Sequence, residues 1–198
     1  MIKEIKPTVF VVDDDTAVRD SLRMLLKSVG LPVEVFESGQ EFLDADRDDR
    51  PGCLVLDIRM PGMSGLELQV KLNERHSILP IIFITGHGDV PMAVEAMQAG
   101  AVDFIQKPFR DQDLLDRINQ ALDKDAGSRR MLAERNMIRK RLESLTPRER
   151  EVLAHVVAGH LNKQTAADLG TVEKTIKIHR ARVMEKMRVS SVAELVRL

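Results

Sequence analysis

The sequence predicts two domains of different class: an α/β domain built on a parallel sheet, then a small all-α domain. Three observations carry this expectation. Residues 1–123 hold 13 Lys/Arg against 22 Asp/Glu, net −9, whereas residues 124–198 hold 17 against 9, net +8. Short apolar runs alternate with helical patterns five times in the first part, and such alternation with short connections specifies a parallel sheet covered by helices on both sides. All six phenylalanines precede residue 110 and there is no Trp or Tyr. The basic part therefore has no aromatic platform for unpaired bases, which favours a duplex polyanion over a single strand.

The first β-α unit is a strand over 8–12 and a helix over 16–29, with Val18, Leu22, Leu25 and Val29 on one face and Gly30 as its stop. A strand over 33–36 with a helix near 39–43 makes the second unit, and 53–57 with 66–72 the third. Residues 80–85 with 92–97 make the fourth, and 102–105 with 114–122 the fifth. Polar residues then recur at strand ends: Asp13, Asp14 and Asp15 after the first strand, Asp57 after the third, Thr85 after the fourth, Lys107 after the fifth. In an open α/β sheet that edge is where ligands bind. Carboxylates brought together repel, and a hard divalent cation is the usual remedy, with Mg²⁺ suited to phosphate chemistry. Lys107 and the Thr85 hydroxyl add a cation and a donor for an anion on Asp57. Singly, each residue has a plainer role: a turn or cap for an aspartate, a solvated charge for the lysine. Asp15 or Thr16 is the expected cap of the first helix.

The 198 residues, 43% hydrophobic and 31% charged, suit a soluble globular protein. No apolar run approaches the roughly 18 residues that cross a bilayer, and the start lacks a signal-peptide apolar region, so a cytoplasmic location without membrane contact is expected. Cys53, alone and at the head of an apolar strand, reads as a structural thiol.

Val-Val-Asp-Asp-Asp, Leu-Asp57-Ile-Arg-Met-Pro-Gly-Met-Ser-Gly, Ile-Thr85-Gly-His-Gly-Asp and Phe104-Ile-Gln-Lys107-Pro-Phe closely resemble receiver domains of bacterial two-component response regulators. The resemblance covers residues 7–122 and implies the flavodoxin-like strand order 2-1-3-4-5, which is known for a member of this family. It implies that Asp57 accepts phosphate from a sensor histidine kinase, that Asp13 and Asp14 shape the acidic pocket, and that Asp14, Asp57 and the Arg59 backbone carbonyl hold Mg²⁺ or Mn²⁺. Thr85, Phe104 and Lys107 are then the switch residues, and Arg59 and His87 tune the lifetime of the phosphate. His87, between two glycines and with no second ligand nearby, reads as a loop residue screening water rather than a metal ligand or general base. Asp13-Asp14-Asp15-Thr16 also suits a haloacid-dehalogenase-type phosphatase, but that reading leaves Asp57 and the basic half unexplained. A constitutive DNA-binding protein with a degenerate receiver is the other rival, and the intact pocket set opposes it.

Residues 124–143 are expected to form a helical linker with a break at Gly127-Ser128. Met131, Ile138 and Leu145 recur every seven residues, which leaves a short coiled-coil contact as an alternative. From 144 to 198, Thr146, Pro147 and Glu149 open a helix with a capping box, Gly159 stops it, and helices over 162–169 and 173–187 flank a Gly170 turn. Helix, tight turn, helix is the helix-turn-helix arrangement. Ile176, Arg180, Val183 and Met187 share one face of the last of these helices; Lys174, Ile178, Ala181 and Glu185 lie opposite. Leu-Thr-Pro-Arg-Glu-Arg-Glu-Val-Leu, Asn162-Lys163, Thr175-Ile-Lys177-Ile-His179-Arg and Lys186 resemble LuxR-type DNA-binding domains. By that resemblance Lys177, Ile178 and Ala181 face base edges, while Asn162, Lys163, Lys174, Thr175, His179 and Arg182 are candidates for phosphates. His179 has a competing role in orienting its helix. The family's usual turn serine is replaced by Val172, for which capping by Thr171 is the expected compensation.

The two resemblances together are to the NarL/FixJ family, FixJ branch. They imply a non-enzymatic, phosphorylation-switched transcription factor that dimerises when phosphorylated and binds paired half-sites of duplex DNA. Activation is the expected direction, with RNA polymerase as a further partner.

Overall fold

The computed structural model describes residues 6–45, 50–86 and 90–198. The chain divides into two compact units, Met1–Arg130 and Met131–Leu198.

In the first unit the strands are β1 (Thr8–Val12), β2 (Val33–Phe36), β3 (Gly52–Asp57), β4 (Ile81–Thr85) and β5 (Asp103–Gln106). They form one parallel sheet in the order β2-β1-β3-β4-β5. β1, β3 and β4 are buried along their whole length, and their alternate residues feed two cores. Phe10, Val12, Leu54, Leu56 and Phe83 pack with Phe42, Leu43, Leu68, Leu72 and Ala96 from α2 (Gly39–Asp44), α3 (Gly65–Glu74) and α4 (Val90–Gln98). Val9, Val11, Val55, Ile82 and Ile84 pack with Leu22 and Leu26 from α1 (Thr16–Ser28) and with Leu114, Ile118 and Ala121 from α5 (Asp111–Glu143). The period of two along each strand thus sends neighbouring side chains to different helical layers. In α1 the buried pair is Leu22 and Leu26, and Val29 is half exposed because the helix ends before it and Val29 serves as the C-cap.

α5 is continuous through Gly127-Ser128, where the sequence suggested a break. Asp125 explains both this and the extension of the first unit past residue 123. Its buried carboxylate accepts from the Gly52 backbone N–H at 2.9 Å and from Arg129 Nε at 2.8 and 2.9 Å, and Arg129 Nη2 reaches the Arg50 carbonyl. An i,i+4 ion pair spanning the glycine, anchored to the head of β3, offsets a helix-interior penalty of about 1 kcal/mol. Cys53, next to Gly52, is buried, and desolvation together with Asp125 pushes its thiol up to about 12.

The second unit holds α6 (Pro147–Val157), α7 (Asn162–Asp168), α8 (Glu173–Met187) and α9 (Val192–Arg197). Leu145, Val152, Val156, Ala166, Ile176, Val183, Met187 and Leu195 form its core, with Ile138 packed against them. Ile138 and Leu145, two of the three heptad positions, therefore serve this core, while Met131 is 61% exposed. The α6 capping box forms as the sequence predicts. Thr171 does not cap α8: Val172 is the N-cap and no side chain accepts there.

Candidate functional site

The parallel register delivers the pocket. Val12 pairs with Leu56 across β1 and β3, so Asp13 and Asp57 emerge side by side at the carboxyl edge. The chain leaves β1 toward β2 on one side of the sheet and β3 on the other, which makes this edge the topological switch point. Both carboxylates are buried. Lys107, just past β5, donates from Nζ to Asp13 at 2.8 Å and to Asp57 at 2.9 Å. Its own backbone N–H donates to the Thr85 carbonyl at 2.7 Å, and the Lys107-Pro108 peptide is cis. The second Asp57 oxygen accepts from the Arg59 backbone N–H at 2.7 Å, and Asp13 also accepts from the Asp15 N–H at 2.9 Å.

Burial pushes the Asp57 carboxyl above its usual range, with Lys107 opposing and Asp13 adding to the rise. Burial works against the Lys107 ammonium, but its bonds to Asp13 and Asp57 prevail and hold it above its usual range. Two buried carboxylates sharing one lysine keep an excess of negative charge, which a hard cation relieves. Asp14, exposed beside Asp13, adds a further oxygen donor, so the donor set present fits Mg²⁺.

Gly65, the last glycine of the Met-Pro-Gly-Met-Ser-Gly turn, has a steric reason. A Cβ there would lie 2.3 Å from the Asp57 carbonyl oxygen, and the Gly65 N–H donates to the Ile58 carbonyl. α3 thereby starts directly against the strand that carries Asp57. Thr85 is buried at the end of β4 and Phe104 is half-buried against the α2–α4 core; Arg59 is exposed, and His87 lies outside the described residues. Asp15 caps α1 through the Ala17 N–H at 2.8 Å. Arg19 was not anticipated: Nη1 donates to the Asp13 carbonyl at 2.7 Å and Nη2 to Thr16, tying the pocket to α1. Its place one turn after the cap was the available signal.

In the second unit Lys174, Lys177, Ile178, Ala181 and Arg182 are exposed along α8, while Ile176, Val183 and Met187 are buried opposite. Lys163 is exposed on α7 and Thr175 is half-buried. Asn162 is engaged: its Oδ1 accepts from Arg180 at 3.1 Å, a bond that ties the two helices of the motif together. His179 is half-buried and its Nδ1, shielded from solvent, has no hydrogen-bond partner among the described residues. Glu149 is buried and accepts from Lys186 Nζ at 2.6 Å and from the Thr146 N–H at 2.8 Å, and these bonds hold its carboxyl down at about 2.

Fold and pocket define a class: a receiver domain followed by a DNA-binding helix-turn-helix domain. Comparison with known proteins finds the same two classes of domain in the same order. The response regulator receiver domain model matches residues 9–119, and the model for bacterial regulatory proteins of the luxR family matches residues 143–198. Nodulation protein W of Bradyrhizobium diazoefficiens is 49% identical over 193 residues, covering 98% of this chain and 85% of its own. Transcriptional regulatory protein FixJ of the same organism is 46% identical over 193 residues, covering 98% and 94%. The solved structure of the response regulator StyR is 50% identical, covers 97% of each chain and superposes with a TM-score of 0.90. The chain belongs to the NarL/FixJ family of response regulators, transcriptional regulatory proteins of two-component systems. A receiver implies a sensor kinase as partner, and the LuxR-type domain implies DNA. No described helix is long and apolar enough to cross a membrane.

Proposed function

We propose that Asp57 is the phosphoacceptor, and that its modification switches this chain between a weakly and a strongly DNA-binding state. The carrying observation is that one lysine bridges two buried carboxylates from adjacent strand ends at the sheet's switch point. Attack of an Asp57 oxygen on the phosphorus of a kinase phosphohistidine breaks the P–N bond and leaves an acyl phosphate on Asp57. Asp14, Asp57 and the Arg59 carbonyl would hold Mg²⁺, which when bound would supply charge neutralisation for the transferring group. Asp13 shapes the pocket, and Lys107 exchanges its Asp57 contact for a phosphoryl oxygen. The added charge, roughly −1.5 to −2, is enough to create new charge-assisted bonds at Lys107 and the Thr85 hydroxyl. Thr85, with Phe104 following, carries the change to the dimerising surface, and Arg59 and His87 set how long the phosphate survives.

The output is a homodimer whose α8 helices enter successive major grooves of paired half-sites. Lys177, Ile178 and Ala181 read base edges, and Lys163, Lys174, Thr175, His179 and Arg182 position the phosphates. Asn162 contributes by orienting Arg180 as well as by any phosphate contact. RNA polymerase is the downstream partner of the bound dimer.

The test is the solution mass of wild type and Asp57→Asn with Mg²⁺, with and without a phosphoryl donor or beryllofluoride. A monomer-to-dimer shift confined to wild type supports the reading. Modification of Asp57 with no change in mass moves the switch to relief of an inhibitory contact. An Asp57 that is never modified overturns the proposal.

A further inference from the structure

Three side chains that the functions above leave unused converge in the second unit. His155 lies in the last turn of α6, His160 follows the stop of that helix, and Asp168 closes α7. The convergence has a backbone cause. The His160 N–H donates to the His155 carbonyl and the Gly159 N–H to the Val156 carbonyl, with Gly159 at φ +81. This is a Schellman motif, which usually packs an apolar side chain after the cap against one in the last turn. Here both positions are histidines, half exposed to solvent.

The two Nδ1 atoms lie 2.9 Å apart, and an Asp168 carboxylate oxygen lies 3.6 Å from one and 3.4 Å from the other. A tetrahedral cation with bonds of about 2.0–2.1 Å sets its ligand atoms about 3.3 Å from one another. The three observed separations bracket that edge, before any rearrangement. Asp168 also sits where the α7 carbonyls already carry partial negative charge, and no basic side chain occupies that last turn. A cation satisfies both, and two imidazoles with one carboxylate and an open fourth position select a borderline ion over the oxygen-seeking Mg²⁺.

We infer that His155, His160 and Asp168 form a surface site for a divalent transition cation, Zn²⁺, which fastens the end of α6 to the end of α7. The site is independent of the receiver pocket, whose donors are oxygens. α7 begins two residues after His160 and carries Lys163, so occupancy rigidifies the segment that presents one of the proposed phosphate contacts.

The experiment is a Co²⁺ titration of the full chain in excess Mg²⁺, which saturates the receiver pocket, followed by displacement with Zn²⁺. One equivalent of Co²⁺ with the intense visible bands of a tetrahedral site, bleached by Zn²⁺, is expected. His160→Ala and Asp168→Asn, both at exposed positions, are expected to weaken binding more than about 100-fold, since loss of even an outer partner costs roughly 10- to 100-fold. His76→Asn, in the first unit, is expected to bind as wild type. Zn²⁺ is expected to slow hydrogen exchange in the C-terminal turn of α6 and in α7 in wild type and His76→Asn, and in neither His160→Ala nor Asp168→Asn. Binding unaltered by His160→Ala and Asp168→Asn, an octahedral spectrum, or no binding below millimolar Co²⁺ overturns the inference and leaves a hydrogen-bonded histidine pair.

Discussion

In the first unit Lys107 Nζ lies 2.8 Å from Asp13 and 2.9 Å from Asp57; in the second Lys186 Nζ lies 2.6 Å from Glu149. All three carboxylates are buried, yet Asp57 is pushed above its usual range while Glu149 is held at about 2. The difference is stoichiometry and partners. Lys107 is shared between two acids, and burial with Asp13 nearby outweighs its help to Asp57. Lys186 pairs with no second carboxylate among the described residues, its other contact being the neutral Ser144 carbonyl, and its bond to Glu149 outweighs burial. A lysine shared by two carboxylates leaves one whose energy a new anion or cation can change, which suits a switch; a lysine matched to one carboxylate makes a fixed scaffold, which suits a platform for DNA.

The sharpest way to break this contrast is Lys107→Ala, which leaves Asp13 and Asp57 facing each other without a cation. Because the lysine is partly exposed, a loss near the low end for broken buried pairs, about 3 kcal/mol, is expected in the receiver. Excess Mg²⁺ should recover part of it, as read by thermal melts followed by far-UV circular dichroism with and without the ion. Recovery absent, the pocket is not a cation site.

Glu149→Ala removes a capping box and the carboxylate partner of Lys186 in one change. About 2 kcal/mol is expected from the second unit alone, seen as faster hydrogen exchange in α6 and α8. The same residue gives a pH signature. Its folded pKa of about 2 lies below the ordinary 4.5, so its contribution is present above pH 4.5 and is lost as pH falls toward 2. Glu149→Gln should flatten that acid-side decline.

Lys177→Ala sharpens the comparison with a third lysine, paired with Glu173 on an exposed face. Stability should stay within about 0.5 kcal/mol. DNA affinity should fall about tenfold, in titrations against operator fragments at several salt concentrations; a change in sequence preference marks a base contact, and a salt slope lower by about 1 marks a phosphate contact. Asp57→Asn has the smallest structural effect. Since the fold disfavours the charged carboxylate, a neutral side chain should leave the melting temperature unchanged or slightly higher while phosphate uptake vanishes. A clear fall in melting temperature contradicts the raised pKa.

Much of the pocket was legible because its residues sit at strand ends, where a period-two apolar run stops at a polar residue, and a parallel sheet then brings those ends to one edge. The α6 cap was legible for the same reason: Thr146, Pro147 and Glu149 interact within one turn. The break at Gly127 failed because local propensity knows nothing of Asp125 reaching back to Gly52. Thr171 failed as a cap because Val172 takes the boundary position. The heptad at Met131, Ile138 and Leu145 was ambiguous, since the same spacing serves a coiled coil or a domain core.

By itself the sequence determined the two fold classes, the order of the elements, the strand-end acids and the helix that carries the basic face. These rest on periodicities and turn signals that act over a few residues. Only the tertiary structure decided that Lys107 bridges Asp13 and Asp57, that Asp125 ties α5 to β3, that Asn162 is held by Arg180, and that His155, His160 and Asp168 meet. Most of those contacts join residues 13 to 94 positions apart, or turn on which of several neighbouring charges packing excludes from water, and no local pattern encodes either.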